Sequence, residues 1–230
     1  MTVDRFIRRL AAFEGEGVFN PYRDVCPVFD RNDAPDRRRH NLRLILMAAS
    51  EQSVKTIWIG RDLGYRGGRR TGLALTDEAH LAEAARLVRT DGLKLATNGK
   101  PIAERTATVI WNMLRRIGEP VMLWNVFPFH PHAPQDDMSN RSHTASEREE
   151  AWPLLLELLD ILQPTTLVGI GRDAAQAIEG VSSSTHAVRH PSYGGQSQFA
   201  KQIESIYGLD RSPVEQDSIE PTVSQELALA

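Results

Sequence analysis

The sequence predicts an α/β protein, a three-layer α/β/α sandwich with a central, mainly parallel four-stranded sheet. Four short runs carry this: residues 54–60 (VKTIWIG), 120–127 (PVMLWNVF), 165–171 (TTLVGIG) and 185–190 (THAVRH). They are apolar without a polar–apolar alternation, as strands covered on both faces are. Helical patterns lie between them, and strands alternating with helices argue for parallel pairing. A length of 230 residues suits one good-sized domain.

In chain order, MTVDRFIRRLAAFEGEG reads as a short amphipathic helix, since it lacks a long apolar core and a cleavage pattern. The strand over 54–60 follows. Thr76 with DEAHLAEAARLVR behind it has the N-cap and early acids of a helix start. AERTATVIWNMLRRIG and EREEAWPLLLELLDILQP carry helical spacing and stop at Gly118 and Pro164, flanking the strand over 120–127. After the strand over 165–171, GRDAAQAIEG is a short helix, and SQFAKQIESIYG closes the ordered part after the last strand. One domain over 1–210 is expected, with 211–230 a disordered acidic tail because it lacks aromatic residues and packing periodicity. No internal repeat is present. NPYRDVCPVFD (20–30) is a candidate cover for a pocket.

Apolar content of 41% with 25% charged residues is that of a globular protein. A single cysteine, Cys26, excludes an internal disulfide and any multi-cysteine zinc or iron–sulfur site. No apolar run is long enough to cross a bilayer, so a cytoplasmic protein without membrane contact is expected. The net charge of −3 argues against nucleic acid only as a sum. The last twenty residues hold one arginine and four acids, which account for all of it. In the body, arginines cluster at 37–39 and at Arg61, Arg66, Arg69 and Arg70, a pattern compatible with phosphate contact and equally with a solvated surface.

Ligands of open parallel sheets bind at the carboxyl ends of the strands. The segments falling there are GRDLGYRGG, WNVFPFHPH, GIGRDA and VRHPSYGG. GRDLGYRGGRRTG lacks the Walker lysine and the Rossmann spacing, so a nucleotide cofactor does not fit. A loop that lets a nucleic-acid backbone approach while Asp62 is kept for chemistry fits better. His190 ends an apolar strand on the same edge and can donate to developing negative charge. Asn125, inside an apolar strand, needs partners for its amide and can read a base edge. His130 and His132 form an HxH pair open to a metal, although no cysteine or carboxylate cluster accompanies it.

With these segments placed, the chain resembles the uracil-DNA glycosylase superfamily. The first motif of the uracil-specific members, Gly-Gln-Asp-Pro-Tyr-His followed by Gly-Leu-Ala-Phe-Ser, is matched by Gly60-Arg61-Asp62-Leu63-Gly64-Tyr65 and Gly72-Leu73-Ala74-Leu75-Thr76. His190-Pro191-Ser192 reproduces the second, and Asn125 matches the strand-borne asparagine between them. The resemblance, over about 54–207, implies a cofactor-free, monomeric, monofunctional enzyme that flips deoxyuridine out of single- or double-stranded DNA and hydrolyses its glycosidic bond. It implies Asp62 and His190 as catalytic residues. It also implies that Asn125, Gly60, Gly64 and an aromatic platform from Tyr65 or Phe127 contact uracil. Arg66, Arg69, Arg70, Arg189, Ser192, Tyr193 and Gln196 would contact DNA, with Tyr193 or Gln196 as the wedge. Leu63, Gly64 and Leu75 replace the family's proline, thymine-excluding tyrosine and stacking phenylalanine. Gly64 resembles branches that hold a four-cysteine cluster, which this chain cannot build, so an atypical iron–sulfur-free member is expected. Two other readings stand beside it: a non-catalytic nucleic-acid or damaged-base binding module, and a metal-dependent hydrolase using His130, His132 and Asp62.

Overall fold

The structure, a computed structural model, describes residues 2–209; the tail expected over 211–230 lies outside the described residues. In chain order the elements are α1 (Val3–Ala12), β1 (Val18–Phe19), α2 (Ala34–Glu51), β2 (Thr56–Asp62), α3 (Gly68–Thr71), a 3-10 turn (Glu78–His80), α4 (Leu81–Leu87), α5 (Arg105–Ile117), β3 (Met122–Phe127), β4 (His130–Pro131), α6 (Ala145–Leu162), β5 (Thr166–Ile170), α7 (Arg172–Ala177), β6 (Ser184–Val188) and α8 (Gln196–Tyr207). The main sheet runs β3-β2-β5-β6 with every neighbouring pair parallel, and β1 pairs antiparallel with β4 in a small separate ribbon.

Residues paired across neighbouring strands share a sheet face. Trp58 of β2 meets Phe199 and Tyr207 of α8 edge-on, and its indole N–H donates to the Tyr207 hydroxyl. That face therefore lies under α8, with α5 beside it. On the opposite face Trp124 of β3 packs against Phe6 of α1, which in turn touches α2 and α6. Gly169 of β5 lets α7 approach that same face so closely that a Cβ there would sit 2.5 Å from the Ala175 Cα. With helices on both sides, Ile57, Trp58 and Ile59 are all fully buried, which is why the strand reads as continuously apolar.

Register sets the site. Ile59, Gly169 and Ala187 lie in one row across β2, β5 and β6. Asp62 and His190 each stand three residues beyond that row, at the same carboxyl edge. Among the described residues no helix is long and apolar enough to cross a membrane.

Two local differences from the sequence expectation have physical causes. Asp77, not Thr76, caps the turn after the glycine-rich loop: its carboxylate accepts from the His80 backbone N–H at 3.0 Å, while the Thr76 hydroxyl donates to the Ala74 carbonyl. The helix expected there is accordingly a 3-10 turn followed by the short α4. Helix α2 was not expected at all. Its buried Leu42, Ile45, Leu46 and Ala49 have helical spacing, but the polar Arg37–Asn41 run precedes them, and Arg38 and Asn41 are themselves buried.

Candidate active site

A cavity of about 650 Å³ opens at the carboxyl edge, and Asp62, Leu75, Glu104, His190, Ser192 and Tyr193 are among its lining residues. Asp62 ends β2 with its side chain only 7% exposed. Its Oδ2 accepts from Arg61 Nε at 2.5 Å, and its Oδ1 accepts from Nδ1 of His143, on the loop before α6. Arg61 reaches onward to Asp173 at 3.1 Å.

His190 follows β6. The backbone N–H of Ser192 donates to its Nδ1 at 3.1 Å, and the Ser192 hydroxyl lies 2.7 Å from the same nitrogen. An Nδ1 that accepts places the ring proton on Nε2. Burial, then the nearby Arg61 and Arg189, lowers the pKa of His190, which favours this neutral tautomer. The result is an N–H donor and a carboxylate among the lining residues of one cavity.

Asn125 sits mid-strand in β3, fully buried, and neither its Nδ2 nor its Oδ1 has a hydrogen-bond partner among the described residues. An orphaned buried amide costs about 1–3 kcal/mol. Gly60, its register partner, makes room for it: a Cβ at Gly60 would stand 2.7 Å from Asn125 Oδ1 and 3.2 Å from Leu75 Cδ2. Leu75, held at φ +52°, lines the cavity beside this amide.

Glu104, at the start of α5, brings a second carboxyl group to the cavity. It occupies space that side chains at Gly64 and Gly67 would fill; a Cβ at Gly67 would lie 2.1 Å from its Oε2. Burial raises its pKa, and neighbouring Asp77 adds to the rise.

The expected site residues divide sharply. Asp62, His190, Gly64, Arg189, Ser192 and Tyr193 line one cavity, with Gly60 and Asn125 adjoining it. Tyr193 is 97% exposed at φ +50° on the rim. Gln196 is half-buried as the first residue of α8 and is not part of the lining.

The expectation that Arg69 and Arg70 meet phosphate is corrected, because both are buried. Arg69 stacks 3.9 Å over the Phe19 ring and donates to His130 Nδ1 at 2.9 Å and to the Asp137 carbonyl. Arg70 pairs with Glu78 at 2.8 Å and donates to Thr97. The aromatic platform expected from Tyr65 or Phe127 is corrected as well. Phe127 is buried between Phe13, Phe129 and His143. Tyr65 lines a separate groove with Phe29 and Arg66, whose Nε donates to its hydroxyl at 2.7 Å. Exposed Arg66 therefore lies in that groove, outside the cavity lining. Residues 20–30 do not cover the cavity; they are tied to the interior by Arg38, which bonds Asp30 at 2.5 Å and the carbonyls of Pro21 and Asp24.

For the HxH pair, His130 has both ring nitrogens engaged, Nδ1 by Arg69 and Nε2 by the Ser139 carbonyl at 2.8 Å. Burial, then Arg69, pushes its pKa down to about 3. Neither nitrogen is open to a cation, which removes the metal-hydrolase reading.

Sequence reasoning missed His143, Glu104, Arg172 and the role of Arg61. Arg172, its side chain 86% exposed at the cavity, was within reach, since GIGRDA stood among the segments at the strand ends. A lone histidine in RSHTASE carries no such signal.

The crystal structure of wild-type SMUG2 from Pedobacter heparinus matches this chain with a TM-score of 0.60 at 15% identity, covering 91% of this chain and 98% of that one, a likeness of fold. No curated protein sequence matches it. The family model of the uracil DNA glycosylase superfamily matches residues 50–207, more than half of the chain, a span that holds Asp62, Asn125 and His190 together with all four strands of the main sheet. On that match the chain belongs to the uracil DNA glycosylase superfamily, a family of DNA glycosylases.

Proposed function

We propose that the protein is a monofunctional, monomeric uracil-DNA glycosylase that excises uracil from DNA. The observation that carries the reading is a carboxylate and a neutral imidazole, Asp62 and His190, lining one cavity beside the unpartnered amide of Asn125. Breaking the C1′–N1 bond leaves positive charge on the sugar and negative charge on the base, and the two groups have the matching signs. The electron pair leaves with uracil, whose O2 accepts from His190 Nε2–H. A water bonds to C1′ and its proton passes to Asp62. Uracil completes the amide of Asn125, which a cytosine edge with reversed donors and acceptors would not. The base reaches it by displacing the Leu75 side chain.

Exposed Tyr193 fills the vacated stack as the wedge, at a cost of a few kcal/mol in unstacking. Arg172 and Arg189 meet phosphates flanking the flipped nucleotide. Among the described residues no lysine lines the cavity, which favours hydrolysis over a Schiff-base lyase.

The test is an oligonucleotide with a single uracil, incubated with the protein in chelator and then treated with alkali. Strand scission only after alkali is the expected result. Scission before alkali would make the enzyme a lyase. Tight binding without any abasic product would make it a binding module.

A further inference from the structure

In the proposed reaction Asp62 must hold one carboxylate orientation, and the carboxyl torsion of an aspartate is broad and roughly two-fold when nothing fixes it. We propose that His143 is a positioning residue for Asp62, its Nδ1–H fixing Oδ1 while Arg61 fixes Oδ2. This rests on the reading of Asp62 as the residue that acts on the attacking water.

The two donors come from different elements, Arg61 from β2 itself and His143 from a loop 81 residues further along the chain. Both the His143 and the Asp62 side chains are 7% exposed, so water does not readily substitute for either bond. The loop holding His143 is pinned on both sides. Thr144 and Glu147 form a capping box at the start of α6. Arg141 grips Glu147 through two bonds of 2.6 and 2.8 Å and reaches back to the His132 carbonyl at 3.0 Å. Behind the imidazole, the Phe127 ring lies 5.5 Å away at 39°. That packing gives Phe127 a place in the site although it does not line the cavity: it backs the histidine that holds the acid. Loss of the His143 bond would let the carboxylate turn away from the sugar, and misplacement of a reacting group by about 1 Å costs up to about 100-fold in rate.

His143 does not line the cavity, so it belongs to the rate of the chemical step and not to substrate affinity. The experiment compares steady-state uracil release by the wild type, His143→Asn, His143→Phe and Asp62→Asn, with thermal melting of each. Asparagine carries an amide N–H near the position of imidazole Nδ1–H; phenylalanine keeps the packing on Phe127 and cannot donate. The expected result is a kcat roughly 10- to 100-fold lower in His143→Phe at unchanged KM, recovered largely in His143→Asn. Wild-type kcat in His143→Phe overturns the proposal, as does equal loss in both variants with lowered melting, the mark of a purely structural role. A proton NMR spectrum of the wild type separates the two readings. A downfield Nδ1–H resonance, absent from both His143 variants and shifted in Asp62→Asn, supports the pair even if no uracil is released, in which case it is the uracil reading that fails. Absence of that resonance from the wild type overturns the pair.

Discussion

The arginines of this protein end in two opposite environments. In the interior, Arg38, Arg69 and Arg70 join α2, α3 and the 20–30 segment, and each guanidinium meets a carboxylate, a carbonyl or an imidazole. At the cavity, Arg172 and Arg189 stand exposed, and the nearest carboxylate to Arg172 is Asp173 at 3.9 Å. Arg61, next to Asp62 in the chain, lies between the two groups, paired yet with 41% of its side chain exposed. Arg38 and Arg70, buried and paired with carboxylates, specify a frame; polar groups left without hydrogen-bond partners at or beside a cavity await a ligand. Asn125 and Arg189 are of the second kind, and Arg172 is held only by its 3.9 Å contact with neighbouring Asp173; this contrast locates the site more sharply than the density of arginine does.

The strongest way to break the contrast is in the frame. Arg38→Ala leaves Asp30 buried without its cation, which costs about 3–5 kcal/mol. Chemical denaturation should show that loss, and stability unchanged within about 0.5 kcal/mol would place Arg38 with the dispensable surface charges instead.

Asp62→Asn tests the cavity with the opposite signature. Uracil release should fall by about 100- to 1,000-fold, the scale for removing one preorganised electrostatic group from an active site, while the melting temperature stays near that of the wild type. Asn125→Ala should also cost activity, yet it removes an unsatisfied buried amide and so should not lower stability by more than the small cavity it creates. An Asn125→Ala protein that is strongly destabilised and still active would reverse the assignment of that residue.

Much of this division could be read from the sequence, though not all of it for the same reason. The strands were legible because burial on both faces writes itself as unbroken apolar runs. Asp62 and His190 were legible because parallel topology brings strand ends to one edge, whatever their separation along the chain. Arg69 and Arg70 were not: an arginine run in a glycine-rich loop looks solvated, and one of the partners that buries it, the Asp137 carbonyl, lies 68 residues away from Arg69. His143 and Glu104 were hidden for a related reason. His143 sits on a connecting loop without periodicity and Glu104 at the cap of α5, and only the folded chain sets His143 beside Asp62 or Glu104 against Gly64 and Gly67. The orphaned amide of Asn125 was foreseeable as a polar residue in an apolar strand, but its lack of partners was not.

At the rim the expected effects are smaller and depend on salt. If Arg172 and Arg189 meet phosphates, replacing either with alanine should weaken DNA binding across sequences and reduce the slope of log affinity against log salt by about one. Arg69→Ala should leave that slope unchanged, since its guanidinium is buried over Phe19. Titrations at several salt concentrations distinguish the two. A slope that responds to Arg69 and not to Arg172 would mean that the loop opens when DNA binds.

The smallest effect separates two histidines. His130, in the frame, has its pKa pushed down to about 3 and stays neutral over the working range. His190, at the cavity, is lowered by burial first and then by Arg61 and Arg189. Its folded pKa lies below the unfolded value of about 6.5, so as pH falls through that value the unfolded chain takes up a proton before the folded one does. The His190 contribution is therefore neutral above about pH 6.5 and turns against folding below it, and stability declines toward acid. Protonation would also take the Nδ1 lone pair that accepts from the Ser192 N–H, so the donor geometry should persist to a pH below 6.5 before it is lost. Proton NMR titration of the His190 ring checks this directly. Arg189→Ala should move its midpoint upward, since a nearby cation is removed, and leave His130 untitrated. A His190 midpoint at or above 6.5 in the wild type would mean that the imidazole is open to solvent and that its tautomer is not held by Ser192.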